Sequence, residues 1–188
     1  MVKSTYSRAT ARNRRRIQSA FAELLSERGS ANNISVTELA ERAEITRGTF
    51  YNYYNNINEV NAELQSEIEK RLFEAEEELD SVESIEKYID DIFVFLKQQE
   101  DIYRELLASN ASAGFLDQIQ SEMSKSVLAV MHKLGITSTE AETDAIFLTN
   151  GAIAVTRKYF KGETAMTLDD IHDYLKTKLY WMLENYSR

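Results

Sequence analysis

The chain of 188 residues contains no cysteine and no proline, and only six glycines. Without cysteine there is no disulfide and no thiolate metal site. The two histidines, His132 and His172, match no metal-ligand spacing, so neither a structural metal nor a cofactor is expected. Average usage would put about nine prolines in this length. Their absence favours long uninterrupted helices, because proline removes a backbone donor and clashes with the preceding turn. Long apolar runs are also missing. The strongest, IFVFL at 92–96, is far short of the roughly 20 residues that cross a bilayer. Residues 1–7 are polar and lack a hydrophobic signal core. Together these absences predict a cytoplasmic protein with no membrane partner.

Hydrophobic residues make up 43% of the chain, enough for a packed core. The net charge is −9, which argues against a general nucleic-acid coat, but the charge is unevenly placed. Residues 1–60 hold nine Lys/Arg against six Asp/Glu, whereas residues 61–188 hold thirteen against twenty-five. Lys3, Arg8, Arg12, Arg14, Arg15 and Arg16 precede the first acid, Glu23. A basic front on an acidic body orients a molecule toward a polyanion. Taken alone, the basic run favours the plainer alternative of an ordinary solvated tail.

Apolar residues recur at helical spacing throughout, and no alternating strand pattern or repeat is found. Ile17, Ala20, Phe21, Leu24 and Leu25 form one stripe, stopped at Gly29. Ser35 with Glu38 has the spacing of a capping box before a short helix to about Ala43. Thr46 caps a second short helix to about Tyr53, and Asn56 with Glu59 marks the start of a longer one carrying Val60, Leu64, Ile68, Leu72 and Leu79. Further helices are expected around Ile85–Leu96 spacing positions, Ile102 to Leu107, and Leu116 to Leu134, with a loop at 110–114. Thr139 with Glu142 opens a helix to Phe160, and Thr167 caps the last. The predicted fold is all-α with about nine helices.

The segment 34–60, ISVTELAERAEITRGTFYNYYNNINEV, reads as two short helices joined by a tight turn, a helix-turn-helix. Ala40 is small where the helices cross, and Ile45 and Phe50 are apolar where the core must be plugged. The second helix offers Thr46, Arg47, Thr49, Asn52 and Tyr53, with no acid among them. Asn suits adenine and Arg suits guanine in the major groove. Phe50 and Tyr54 are expected in the core. Tyr51 reads as a DNA contact against the plainer alternative of an aromatic core patch, and Arg47 against that of a solvated surface arginine.

Thr37, Leu39, Ala40, Ala43, the run Thr46-Arg47-Gly48-Thr49-Phe50-Tyr51, and Tyr54 together resemble the DNA-binding domain of the TetR/AcrR family of bacterial transcriptional regulators. The resemblance covers roughly residues 12–64. It implies a three-helix DNA-binding domain with a basic arm at 1–56, and a helical effector-binding and dimerisation domain at 57–188. It further implies that Thr37 touches a phosphate or base edge and that Arg47, Thr49 and Asn52 face bases. Thr46, Tyr51 and Tyr53 would position the DNA backbone, and Gly48 would let the recognition helix approach closely. The implied partners are double-stranded operator DNA, a second copy through the last two long helices, and an unknown small-molecule effector. The expected function is a ligand-responsive regulator of the repressor kind, with a protein-binding co-regulator as the alternative. No nucleophile–base pair, phosphate loop or metal-ligand set points to an enzyme.

Two positions depart from the family pattern. Glu44 stands in the turn where glycine is common, and Ile57 stands where a lysine often clamps phosphate. Thr149 and Asn150 are polar within the apolar stretch 145–155; a ligand, a partner helix or their own backbone could take their hydrogen bonds, and the backbone is the expected partner.

Overall fold

The computed structural model describes residues 2–73, 79–108 and 113–186, which form helices joined by turns and short irregular stretches, with no strand among them. The order is α1 (Val2–Arg28), a 3-10 turn (Ala31–Asn33), α2 (Val36–Arg42), α3 (Arg47–Tyr51), α4 (Ile57–Phe73), α5 (Val82–Gln98), α6 (Glu100–Ala108), α7 (Ala113–Lys133), α8 (Glu140–Phe160) and α9 (Leu168–Tyr186). The chain divides into two compact units. A head holds α1–α3, α4 as far as Glu67, and α6 from Asp101. A body holds the rest of α4, α5 and α7–α9.

In the head, the α1 stripe is wholly inward: Ile17, Phe21 and Leu24 are fully buried. Leu39, Ala40 and Ala43 of the α2 region, Phe50 of α3, and Val60 and Leu64 of α4 are buried with it. The basic segment expected as an arm is the first half of α1 instead. Nothing in 2–16 breaks a helix, so the stripe's helix continues through it.

Helix ends follow the cap chemistry with two exceptions. Ser35 accepts the Glu38 N–H at 3.1 Å, but the Glu38 carboxylate takes Arg28 (3.0 Å) rather than closing the box. Thr139 makes no side-chain cap bond. Thr167 and Asp170 do form a reciprocal box, with Asp170 N–H donating to Thr167 Oγ1 at 3.1 Å and Thr167 N–H to Asp170 Oδ2 at 2.8 Å.

The body core gathers Leu79, Ile85, Val130, Met131, Ala141, Ala145, Leu179, Met182 and Leu183. Leu79 is not on α4, where its spacing put it. It lies in a non-helical stretch ahead of α5 and still reaches the core; residues 74–78 lie outside the described residues. Of the loop expected at 110–114, residues 110–112 also lie outside them, and Gly114 is helical. α7 and α8 run antiparallel, and the Ser124 and Thr149 hydroxyls meet at 2.6 Å. Thr149 also donates to the Ala145 carbonyl at 2.7 Å, the backbone bond expected of it.

α5 is held to α9 by a polar cluster. Asp90 accepts from Lys176 at 2.9 Å and lies 2.6 Å from His172 Nε2, while His172 Nδ1 lies 2.9 Å from Asp173. Lys176, then His172, hold the Asp90 carboxyl below its ordinary value of 3.8. A carboxyl depressed by folding stabilises the fold above its unfolded pKa, and that contribution disappears as pH falls through the folded one. Asp90→Asn should therefore lower the melting temperature at pH 7 by up to a few degrees, since a half-exposed pair contributes up to about 1 kcal/mol. The difference from the parent should vanish as the pH drops below the Asp90 range. Thermal unfolding followed by circular dichroism from pH 7 to 2.5 checks this, and a pH-independent difference would contradict it.

Candidate nucleic-acid interface

A five-residue helix such as α3 cannot form alone, because nucleation costs more than so few hydrogen bonds return. Three local devices hold it. Phe50 is fully buried and packs edge-on with Tyr51 (5.5 Å between centroids) and beside Tyr54 (5.8 Å). Thr46 caps the start, its Oγ1 accepting the Thr49 N–H at 3.1 Å, with the two hydroxyls 2.9 Å apart. The turn from α2 supplies the third.

That turn is a Schellman motif. Ile45 N–H donates to the Ala40 carbonyl at 2.9 Å and Glu44 N–H to Glu41 at 3.0 Å. The motif requires a left-handed residue, and Glu44 has φ 52°. The same pair of bonds ends α7 and α8, where Gly135 and Gly162 occupy the equivalent place. A side chain there costs about 1 kcal/mol, whereas truncating a buried phenylalanine such as Phe50 costs about 3–5 kcal/mol. Core burial outweighs the strain, so the turn closes despite Glu44. Its carboxylate pairs with Arg16 of α1.

Around this turn the expected site residues come out unequally. Thr37, Thr46, Arg47, Gly48, Tyr51 and Asn52 are exposed, while Thr49 and Tyr53 are half-buried. The helix closes at Tyr51, and Asn52 and Tyr53 occupy a following turn, Tyr53 N–H donating to Phe50 O at 2.9 Å. Tyr51 stands about half exposed, at 49%, which for an aromatic leaves one ring face uncovered. Phe50 and Tyr54 are core, and burial raises the Tyr54 phenol well above its ordinary pKa. Nothing within the fold requires glycine at 48. A Cβ there would meet only Thr46 Oγ1, at an ordinary 3.7 Å, and its φ is not in the left-handed region.

One residue with a positioning role was missed by sequence reasoning. Asn13 of α1 donates from Nδ2 to the Tyr53 hydroxyl at 3.2 Å and so fixes the aromatic ring that follows α3. Its place one turn before Ile17, on the same stripe, was the available signal.

The charges of the head are largely paired. Arg14 bonds Glu63 at 2.9 Å and its guanidinium lies 5.7 Å from the Tyr54 ring centroid. Arg42 bonds Glu23 (3.1 Å) and Glu27 (2.8 Å). Ile57 is only 8% exposed and serves as core, which is why no cation can stand there. At the same helix start the Asn56 side chain accepts the Glu59 N–H (3.2 Å), and the Glu59 carboxylate accepts from Asn55 N–H (2.8 Å) and Nδ2 (2.9 Å). Those bonds, the backbone one foremost, hold Glu59 below the ordinary carboxylate pKa. The start of α4 is thus occupied by the protein's own anion. No group of three or more metal-ligating side chains occurs among the described residues.

The fold is that of TetR-like regulators. The chain superposes on a TetR-like transcriptional regulator from Rhodococcus sp. RHA1 with a TM-score of 0.64 at 21% identity, covering 92% of this chain and 96% of that one. It matches Thermus thermophilus FadR, a TetR-family transcriptional repressor in complex with lauroyl-CoA, with a TM-score of 0.56 at 19% identity over 91% and 93% of the two chains. A dihydroxyacetone kinase operon activator, DhaS, matches with a TM-score of 0.54 at 14% identity over 93% and 96%. No protein-family model matches the sequence, and no curated protein matches it by sequence; the likeness lies in the fold.

Replacing Glu44 by glycine should relieve the left-handed strain at the loss of one exposed ion pair. The net gain is about 0.5–1 kcal/mol, or roughly 1–4 °C in melting temperature. Differential scanning calorimetry decides, and an unchanged or lowered midpoint would mean that the Arg16 pair outweighs the strain.

Proposed function

We propose that this protein is an effector-responsive transcriptional regulator that binds palindromic operator DNA as a homodimer and represses by occupying it. Residues 1–56 read DNA, and residues 57–188 bind effector and dimerise. The observation that carries the reading is the exposed, acid-free face of Thr46, Arg47, Gly48, Tyr51 and Asn52 on a helix whose opposite side is locked into the core by Phe50. Arg47, Thr49 and Asn52 contact base edges. Thr46, Tyr51 and Tyr53 position the phosphate backbone, with Thr37 on α2 beside them.

A glycine that the fold does not need points to a demand from outside, here the close approach of DNA. Gly48→Ala should stabilise the free protein slightly, since alanine is the better helix residue by up to about 1 kcal/mol. It should nevertheless weaken operator binding at least tenfold. Tyr51→Ala and Arg47→Ala should abolish sequence-selective binding while the dimer persists. Fluorescence anisotropy on genomic fragments across a salt series measures all three. Undiminished affinity in these variants would overturn the site. Steep salt dependence with retained sequence preference marks specific DNA binding.

The dimer is supported by an uncovered apolar surface on the body. Phe147 is 81% exposed and Trp181 66%, with Tyr174 and Tyr180 also exposed on α9. Gly151 and Ala154 follow Phe147 on one exposed face of α8, allowing a second backbone close approach. A symmetric pair supplies the two heads that half-sites one helical turn apart require. Trp181 is the only tryptophan, so its fluorescence reports the interface. Emission should shift to the red on dilution, and Phe147→Glu should give a monomer by analytical ultracentrifugation. A dimer unaffected by that change would place the interface elsewhere. Effector binding in the body would then change the spacing of the heads and release the operator.

The burial of Ile57 and the carboxylate of Glu59 at the start of α4 favour a second reading, a protein-binding co-regulator on the same fold. Salt-insensitive indifference to DNA in the parent protein would select it.

A further inference from the structure

We infer that Glu44 competes with operator phosphate for the guanidinium of Arg16, so that DNA binding exchanges an ion pair inside the head for a contact to the DNA backbone. This exchange presupposes the operator-binding reading above and adds to it a cation of α1 and a carboxylate that restrains it. Four of the described residues have a left-handed backbone. Three are Gly29, Gly135 and Gly162, and the fourth is Glu44. A side chain is thus tolerated in the strained conformation once, at the turn that leads into α3, and strain of this kind persists where function holds it. Packing does not account for it. The Glu44 side chain is 82% exposed, and its carboxylate meets Arg16 rather than the core. An exposed pair of this sort adds little to stability.

Arg16 is placed beside the DNA-facing segment. Asn13 and Arg16 are three residues apart on α1 and share one side of it. Asn13 meets the Tyr53 hydroxyl at 3.2 Å, just after α3, and Arg16 meets Glu44, just before it. One turn of α1 therefore spans the segment from Glu44 to Tyr53. Glu44 precedes Thr46 by two residues, so their Cα atoms are at most about 7.6 Å apart. Thr46 and Tyr53 are the residues assigned to the DNA backbone above, and the Arg16 guanidinium is held between their ends of the segment. Arg16 is partly exposed, and its fork pairs with phosphate as it does with carboxylate. Glu44 left behind stays hydrated, because it is exposed already. Its charge also repels the phosphate that Arg16 approaches. Glu44 thus lowers DNA affinity in two ways, and it does so for every sequence alike, since a phosphate contact carries no sequence information.

Fluorescence anisotropy of the full chain across a salt series, on a selected genomic fragment and on a scrambled duplex, tests the exchange. Glu44→Gln keeps the side-chain length and the left-handed backbone and removes the charge. It should bind both duplexes at least fivefold more tightly and leave the ratio between them unchanged. In that background Arg16→Gln should cost at least fivefold and flatten the slope of log affinity against log salt by about one. In the parent it should cost no more than about twofold. Arg12→Gln, one turn earlier on α1, should cost the same in both backgrounds. Glu83→Gln in the body, the same change in net charge, should not raise affinity. Circular dichroism checks that the variants keep the parent's helix content. No gain in Glu44→Gln, an equal gain in Glu83→Gln, an altered ratio between the duplexes, or an Arg16 cost independent of residue 44 would overturn the exchange. Any of these in a parent that does select its fragment refutes the exchange alone. Failure of both the parent and Glu44→Gln to select any fragment refutes the regulator reading, and the exchange with it.

Discussion

The closed turn between α2 and α3 is the constraint on which the exposed face of α3 depends. Two short helices of seven and five residues have no independent stability. Their mutual geometry comes from the Ala40–Ile45 backbone bond, from Leu39, Ala40 and Phe50 in one core, and from the Thr46 cap. With those three in place, the remaining side chains of α3 have only one direction to face. The turn holds even though a glutamate sits where the backbone is left-handed, because the burial it enables is worth several times the strain.

α1 does more than support that core. It carries Asn13 to the Tyr53 hydroxyl, Arg14 to Glu63 and the Tyr54 ring, and Arg16 to the strained Glu44. Basic residues that look like a diffuse electrostatic tail are in part specific ties within the head. Any attraction they exert on a polyanion competes with these internal pairs. The body is organised differently. Its core excludes Phe147 and Trp181, although both are large and apolar. A helix that is apolar on almost every side has more surface to bury than its own chain covers, and Phe147 is part of what stays exposed.

Legibility varied with how local the physics was. Caps at Ser35, Thr46 and Thr167 were readable because the donor, the acceptor and their spacing lie within four residues. Thr139 had the same spacing but no cap bond, since its backbone is already in the right-handed helical region. Leu79 obeyed the α4 period and yet left that helix, because periodicity records which side a residue faces without recording where the helix ends. Ile57 read as a missing phosphate anchor. Its role as core depended on how α4 meets the head, which no local pattern contains.

From the residues alone came the all-helical class, the helix-turn-helix and the inward stripe of α1, because each depends on contacts within a few positions of chain. Composition also dictated what is missing: disulfides and thiolate sites. Tertiary structure alone decided that Glu44 adopts φ 52°, that Asn13 meets Tyr53 forty residues on, that Asn150 keeps an unpaired oxygen, and that Phe147 rather than Thr149 faces outward. Those outcomes depend on which helix lies against which, a choice made by the shape of the whole core and not by any segment of it.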